Sequence, residues 1–136
     1  MEWYRKAADQ GHAAAQLNLG LMYESGRGVA RDDAEALSWM RKSADGGNAA
    51  AQHHLGVRCH RVSLRARQTD SREHRIEAYK WLYLAAAQGH RGSAAACERV
   101  TISMSRDEVF QGNQRVNSFV ARGAETFKVP PAPAGE

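Results

Sequence analysis

The amino-acid sequence predicts an all-α protein, a solenoid of stacked antiparallel helix pairs. The segment that begins at Trp3 recurs at Trp39, and 12 of the 22 residues in 3–24 and 39–60 are identical at a lag of 36. A third copy begins at Trp81, at a lag of 42. Repeats of this length are typical of stacked helix pairs. The low aromatic content of 7% and the many alanines also favour closely packed helices.

The first residues are predicted to form half of a repeat, over 1–11. Residues 2 to 10 have the pattern of the second helix of a pair, termed helix B, and we expect its first helix, helix A, to lie upstream. Trp3 and Ala7 share one helix face, and Gly11 ends the helix as a left-handed cap. The uncovered apolar flank of this half repeat is a candidate surface for self-association.

The first full repeat is predicted over 12–47, with helix A at about 12–24. Gly20 lies beside the core stripe of helix A, where a neighbouring helix can approach closely. Gly26 and Gly28 permit the positive φ of a tight reversal. Helix B is expected to begin at the N-cap Asp32 and to end at 46–47. The predicted core residues of the repeat are Ala15, Leu19, Tyr23, Ala36, Trp39, Met40 and Ala44.

The second repeat, over 48–89, departs from the first because it lacks both loop glycines and carries six more residues before Trp81. No helix breaker occurs from 57 to 68, so helix A is expected to continue one or two turns further, with a turn at 69–71. Asp70 and Glu73 would then cap the next helix, which is predicted to end at Gln88.

The third unit is predicted to consist of capping helices over 90–121. Its helix A, at about 92–104, carries Glu98 where the packing glycine is expected, so we expect a terminal cap rather than another repeat. Ser105 and Glu108 form a capping box for a last helix that ends near 121. Its candidate core residues are Val109, Val116 and Val120. All three prolines follow, and residues 122–136 are predicted to be a flexible Pro/Ala tail.

The first full repeat resembles the Sel1-like repeat, a relative of the tetratricopeptide repeat, in the run Ala15-Gln-x-x-Leu19-Gly20-x-x-Tyr23-x-x-Gly26-x-Gly28-Val29-x-x-Asp32-x-x-x-Ala36-x-x-Trp39-x-x-x-Ser43-Ala44-x-x-Gly47. The segment 77–89 is similar to the last repeat of bacterial members. The resemblance covers about residues 2–121 and implies a right-handed superhelix whose A helices line a concave groove that binds a protein or peptide. Members serve as adaptors in protein assembly and turnover, in host–microbe interaction, or as immunity partners of secreted toxins. The resemblance implies no catalytic residues.

The groove positions follow from stacking the three A helices at lags of 36 and 42. A helical wheel gives Leu17 and Leu21 no core role, and with Val57 they would supply apolar contact to a partner. The alternative is that the leucines pack against an adjacent unit or the tail. The predicted partner-binding residues are Leu17, Asn18, Leu21, Glu24, His53, His54, Val57, His60 and Arg99.

No pattern in the sequence points to catalysis, a cofactor or a metal. The histidine pairs lack the i, i+4 spacing of a helical metal site, and the two cysteines form no C-x-x-C pair. Cys59 and Cys97 are expected to be buried small side chains, with a disulfide as the alternative. Because a nucleophile–base pair and a Gly-rich phosphate loop are also missing, we predict neither an enzyme nor a small-molecule substrate.

Charge and hydropathy leave several partner classes open. The net charge of the chain is +4, and residues 58–75 alone have the same net charge, because they contain six arginines and only two acidic residues, Asp70 and Glu73. This segment is predicted to be a solvated helix extension or a loop. As an alternative it would bind an acidic partner or nucleic acid, although it lacks aromatic residues for base stacking. No apolar run is long enough for a membrane span, and no signal peptide is evident. A soluble protein of the bacterial cytoplasm or periplasm is expected.

The sequence therefore predicts a non-catalytic protein-interaction module, which would bind a protein or peptide through its groove. A bacterial adaptor or immunity protein is the most specific version of this hypothesis. The alternatives are a regulatory domain of an enzyme complex and, through residues 58–75, an anion-binding or nucleic-acid-binding module.

Overall fold

The computed structural model describes residues 2–65 and 68–127, and these residues form helices and no strand. The helices are α1 (Glu2–Asp9), α2 (Ala13–Ser25), α3 (Asp33–Asp45), α4 (Ala49–Ser63), α5 (Gln68–Ala87), α6 (Ser93–Ile102) and α7 (Arg106–Phe127). The A helices are α2, α4 and α6, and the B helices are α1, α3, α5 and α7. Each of the first two A helices packs against the B helix that follows it, so the predicted all-α solenoid of helix pairs is confirmed.

The repeated glycine of helix A allows close packing within a pair, as the sequence predicts. A Cβ atom added at Gly20 would lie 2.9 Å from Met40 Cγ and 3.1 Å from the Ala36 carbonyl oxygen. A Cβ atom added at Gly56 would lie 2.5 Å from Leu82 Cγ. These distances are too short for a side chain, so glycine sets the spacing between the helices of each pair.

The repeated glutamine of helix A joins each unit to the unit before it. Gln16 Nε2 donates to the Ala8 carbonyl oxygen at 3.1 Å, and Gln52 Nε2 donates to the Ala44 carbonyl oxygen at 3.1 Å. Both carbonyls belong to the last turn of a B helix, where the backbone acceptors lack partners within the helix. Because both glutamines are buried, these bonds satisfy groups that water does not reach.

The described residues form three apolar core clusters. Residues of the predicted stripes, including Leu19, Trp39, Met40, Leu55 and Trp81, are buried in them. The expectation for Trp3 lies outside the described side chains.

The junction between α4 and α5 differs from the prediction. The turn expected at 69–71 is wrong, because α5 begins at Gln68. Helix α4 ends at Ser63, and residues 64 and 65 already form a turn. Ser71 Oγ donates to the Ser63 carbonyl oxygen at 2.6 Å, which joins the two helices directly. Glu73 does not serve as a cap, since it lies inside α5, where it accepts from Arg115 at 2.7 Å.

Helix α7 begins at the predicted capping box. Glu108 N donates to Ser105 Oγ at 3.1 Å, and Ser105 N donates to Glu108 Oε1 at 3.2 Å. Val116 is buried, but Val120 is 54% exposed, so its predicted core role is wrong. The helix continues to Phe127, and the predicted tail is therefore helical over 122–127. The rest of that tail, 128–136, lies outside the described residues.

Helix α7 packs along α5 rather than along α6. Gly112 lies against the ring of Tyr79, and the Tyr79 hydroxyl donates to Asn113 Oδ1 at 2.6 Å. Arg75 donates to both carboxylate oxygens of Glu108, at 3.1 and 2.8 Å. Further ion pairs between the two helices join Arg72 to Asp107, and Arg115 to Glu73 and Glu77.

Candidate functional site

The surface that carries the predicted partner-binding residues is made by α2, α4 and α6. We term this surface the A-helix face. Asn18, Leu21 and Arg99 are exposed on it. Half-buried side chains make up the rest, namely Leu17, Glu24, His53, His54, Val57 and His60.

A polar contact joins α2 to α4 across this face. His54 Nε2 lies 3.1 Å from Glu24 Oε2, and the two side chains are 37% and 34% exposed. When the imidazole is protonated, this contact is an ion pair at the surface, which contributes about 0–1 kcal/mol to stability. The structure therefore brings together two of the predicted partner-binding residues, Glu24 and His54.

A second polar contact joins α4 to the start of α6. His53 Nδ1 lies 2.7 Å from Ser93 Oγ, and the His53 ring centroid is 4.9 Å from that of His90. Burial lowers the pKa of His53 below its usual value, and the neighbouring charges of His90, His54 and Arg99 lower it further. His53 is consequently a neutral imidazole at neutral pH, able to donate or accept a hydrogen bond.

Arg99 connects the third A helix to the same face. It lowers the pKa of His60, after the larger effect of burial, and it also lowers the pKa of His53. Arg99 is exposed on α6, the helix whose first residue, Ser93, contacts His53 of α4. The A-helix face therefore carries a fixed cation, several imidazoles and the Glu24 carboxylate within one region.

The apolar part of the A-helix face is smaller than the sequence predicts. Leu17 packs against the core cluster that contains Met40 and Trp81, so the assignment of no core role to Leu17 is wrong. Val57 likewise packs against a core cluster. Each side chain touches residues of neighbouring helices, which a wheel drawn for one helix does not show.

Leu21 is the residue of this group that stays accessible, with 37% of its surface exposed. It lines a shallow depression of about 230 Å³ together with Asn18, Met22, Ser25 and Arg27. His90 and Ser93 were not predicted as site residues, yet both contact His53. Ile102 was not predicted either, and it is 86% exposed on α6. At lags of 36 and 42, Glu24 corresponds to His60 and His60 to Ile102, so the repeat register alone could have indicated Ile102.

The described residues offer little chemistry for catalysis. They contain no group of three or more histidine, cysteine or acidic side chains placed to hold a metal ion. Both cysteines are free thiols. Burial raises the pKa of Cys59 to about 11 and also raises that of Cys97, which keeps both thiols protonated and weakly nucleophilic at neutral pH. None of the described helices is long and apolar enough to cross a bilayer.

The described parts of the arginine-rich segment, residues 58–65 and 68–75, lie in α4, in the turn that follows it and in α5. Arg72 and Arg75 are bound to carboxylates of α7, with Glu108 nearly buried in the second of these pairs. Arg61 and Arg65 are exposed near the α4–α5 junction. Two of the six arginines thus serve to hold α7 in place, which leaves fewer cations for an anionic partner.

Comparison with known proteins identifies the repeat. A family model described as the Sel1 repeat matches residues 1–12, 13–48 and 49–90. A protective antigen of uropathogenic Escherichia coli with an SLR fold superposes with a TM-score of 0.73 at 26% identity, over 96% of this chain and 28% of that chain. This chain therefore spans less than a third of the length of that antigen.

A second solved structure is similar over nearly its whole length. The Sel1 repeat protein from Oxalobacter formigenes superposes with a TM-score of 0.62 at 25% identity, over 92% of this chain and 91% of that chain. A search of curated proteins gives no match. Because the family model matches all of the first 90 residues, the chain belongs to the Sel1 repeat family.

Proposed function

We propose that this protein is a non-catalytic interaction module that binds a protein or peptide partner through the A-helix face. Sel1 repeat proteins generally mediate protein–protein interaction. The observation that carries the proposal is the convergence of side chains from three helices on one accessible surface. Glu24 of α2, His54 of α4 and Arg99 of α6 contribute charge and hydrogen-bonding groups to it.

The face supports recognition of an extended segment better than binding of a small molecule. Leu21 on α2 and Ile102 on α6 are exposed apolar residues, and the repeat register assigns both to this face. The depression beside Leu21 holds about 230 Å³, below the range of about 300–1,000 Å³ that is usual for small-molecule sites. A partner that contacts both apolar residues would cross the imidazoles of α4, which can orient it through hydrogen bonds.

Within this class we propose an adaptor or immunity role, in which the face masks or recruits a partner enzyme. A regulatory domain of an enzyme complex remains the alternative. It predicts that the captured partner keeps its activity on the complex, whereas an immunity role predicts that binding abolishes that activity.

A pull-down from bacterial lysate with the purified chain tests the proposal. We expect wild type to retain partners that Leu21→Glu and Arg99→Glu lose, because each substitution reverses polarity or charge at an exposed position of the face. Val120→Glu is the matched control, since Val120 is also an exposed apolar residue, but on α7. Thermal unfolding of all variants should stay close to wild type.

The result that would contradict the A-helix face is retention of the same partners by wild type, Leu21→Glu and Arg99→Glu. Val57→Glu is unsuitable for this test, because Val57 contacts the core and its substitution would unfold the repeat. Loss of all partners in Val120→Glu alone would place the contact on α7 instead.

A further inference from the structure

The third unit leaves an apolar cleft open between α5 and α6. The cleft has a volume of about 420 Å³. Tyr83 at its edge is 44% exposed. We term it the α5–α6 cleft; its lining includes Tyr83, Ala86 and Ala87 of α5, and Ala94, Cys97 and Glu98 of α6.

The equivalent surface of the second repeat is covered by a helix. At a lag of 42, Ala86 and Cys97 correspond to Ala44 and Leu55, which lie in one core cluster with Trp81 of α5. In the second repeat, helix B therefore covers the surface to which the α5–α6 cleft corresponds. The same correspondence at a lag of 36 relates Ala44 and Leu55 to Ala8 and Leu19, and those residues are covered by Trp39 of α3.

Helix α7 does not fill the cleft, and Glu98 gives the physical reason. Glu98 corresponds to Gly56, where even a Cβ atom would lie 2.5 Å from Leu82 Cγ. A glutamate side chain at this position excludes a helix at the distance seen in the second repeat. Helix α7 packs instead on Tyr79 through Gly112, and it is held there by its ion pairs with α5. Ala87 of α5 and Ala94 of α6 are left exposed beside it, and Cys97 lines the cleft although only 9% of its surface is exposed.

We propose that the α5–α6 cleft binds an amphipathic helix from a protein partner, in the place that helix B takes in the preceding repeats. The partner helix would present large apolar side chains to Ala86, Ala94 and Cys97, as Trp81 does to Ala44. At the position that faces Glu98, the partner helix would carry a lysine or arginine, which pairs with the carboxylate. Because these side chains are long, the partner helix can lie further from α6 than a helix with leucine at that position would. This surface is separate from the A-helix face, so the proposal does not depend on the function proposed above.

A peptide titration tests the proposal with a probe of known sequence. The probe copies residues 32–47, a helix B of this chain, with Met40→Lys, because Met40 faces Gly20 as the partner residue would face Glu98. We expect saturable shifts of the backbone amide signals of Ala94, Cys97 and Glu98 in two-dimensional NMR of the full chain. The peptide without the lysine should bind about tenfold more weakly, since it leaves Glu98 unpaired.

Two neighbouring alanines provide matched variants. Ala94 and Ala95 are both exposed on α6, but only Ala94 lines the cleft. We expect Ala94→Glu to weaken probe binding about tenfold, because a charged side chain then blocks the centre of the site. Ala95→Glu should change it less than about twofold. Both variants should unfold at the wild-type temperature.

A charge exchange gives a second, independent readout. Glu98→Lys should weaken binding of the lysine probe, and a probe with Met40→Glu should restore it. Absence of saturable shifts at about 1 mM probe would overturn the proposal, as would equal effects of Ala94→Glu and Ala95→Glu.

Two other occupants would also overturn it. Shifts of the cleft signals that follow protein concentration without probe would show that a second copy of the chain fills the cleft. Shifts of the same signals in a chain that ends at residue 127 would show that residues 128–136 fill it.

Discussion

Substitution of Gly56 by alanine tests whether helix spacing within a pair is set by the missing side chain. Two effects oppose each other. Alanine favours a helix over glycine by about 1 kcal/mol, so an unpacked site would gain stability. At Gly56, however, the new methyl group would lie 2.5 and 2.9 Å from two side-chain carbons of Leu82 and 3.1 Å from its backbone nitrogen. Leu82 is fully buried and cannot move without displacing its cluster.

The packing effect should exceed the propensity effect. Overpacking of this kind costs about 1–3 kcal/mol, and the upper half of that range applies because a backbone atom is involved. We therefore expect Gly56→Ala to lower the free energy of unfolding by about 1–2 kcal/mol. For a chain of this length that corresponds to a decrease of about 4–8 °C in the unfolding temperature.

Circular dichroism at 222 nm, followed through urea and thermal unfolding, measures this change. Glu98→Ala is the position-matched control on α6, where the side chain is exposed and the effect should stay within about 0.5 kcal/mol. Gly20→Ala should cost less than Gly56→Ala, because both sites have a backbone atom at 3.1 Å but the closest side-chain contact is 2.9 Å, to the flexible Met40, at Gly20 and 2.5 Å at Gly56. A stability of Gly56→Ala equal to or above that of wild type would refute the packing argument.

Three further predictions concern buried polar groups. Gln52→Ala should lower the free energy of unfolding by about 0.5–1.5 kcal/mol in urea denaturation, because the Ala44 carbonyl keeps the Gly47 amide as a donor but loses the Gln52 side chain. The Arg75 guanidinium lowers the pKa of Glu108, so this pair should stabilise the fold above about pH 4.3 and lose that contribution as pH falls through the lowered pKa; Glu108→Gln should flatten that part of the pH–stability curve. Cys59, with its pKa raised to about 11, should resist alkylation at pH 8 until the chain is unfolded, as mass spectrometry of labelled peptides will show.

Features that recur in every repeat could be predicted from the sequence. Gly20 and Gly56 stand at the same register position, and both lie where a side chain would collide with the next helix. Ser105 and Glu108 make the predicted capping box because its hydrogen bonds depend only on local spacing. Repeated positions and short local motifs can be interpreted from the sequence because their structural role does not depend on distant residues.

Features that depend on contacts between units were harder to predict. Leu17 faces outward on a wheel of its own helix but touches the core cluster of the following unit. The turn between α4 and α5 was expected too late in the chain. The hydrogen bond from Ser71 to Ser63 joins the two helices, and such a contact cannot be inferred from local helix propensity. From the sequence, Arg75 is expected to be a surface cation. Its partner Glu108 lies 33 residues away in α7, and the way in which α7 packs on α5 has no counterpart in the earlier repeats.

The glutamine bonds between units give the array a direction during synthesis. Each acceptor carbonyl, at Ala8 and Ala44, leaves the ribosome before the glutamine that binds it. Each bond can therefore form as soon as the second unit folds onto the first, and no later segment of the chain is needed. Alanine stands at the corresponding position 94 of the third unit, so this order ends where the helix pairs end.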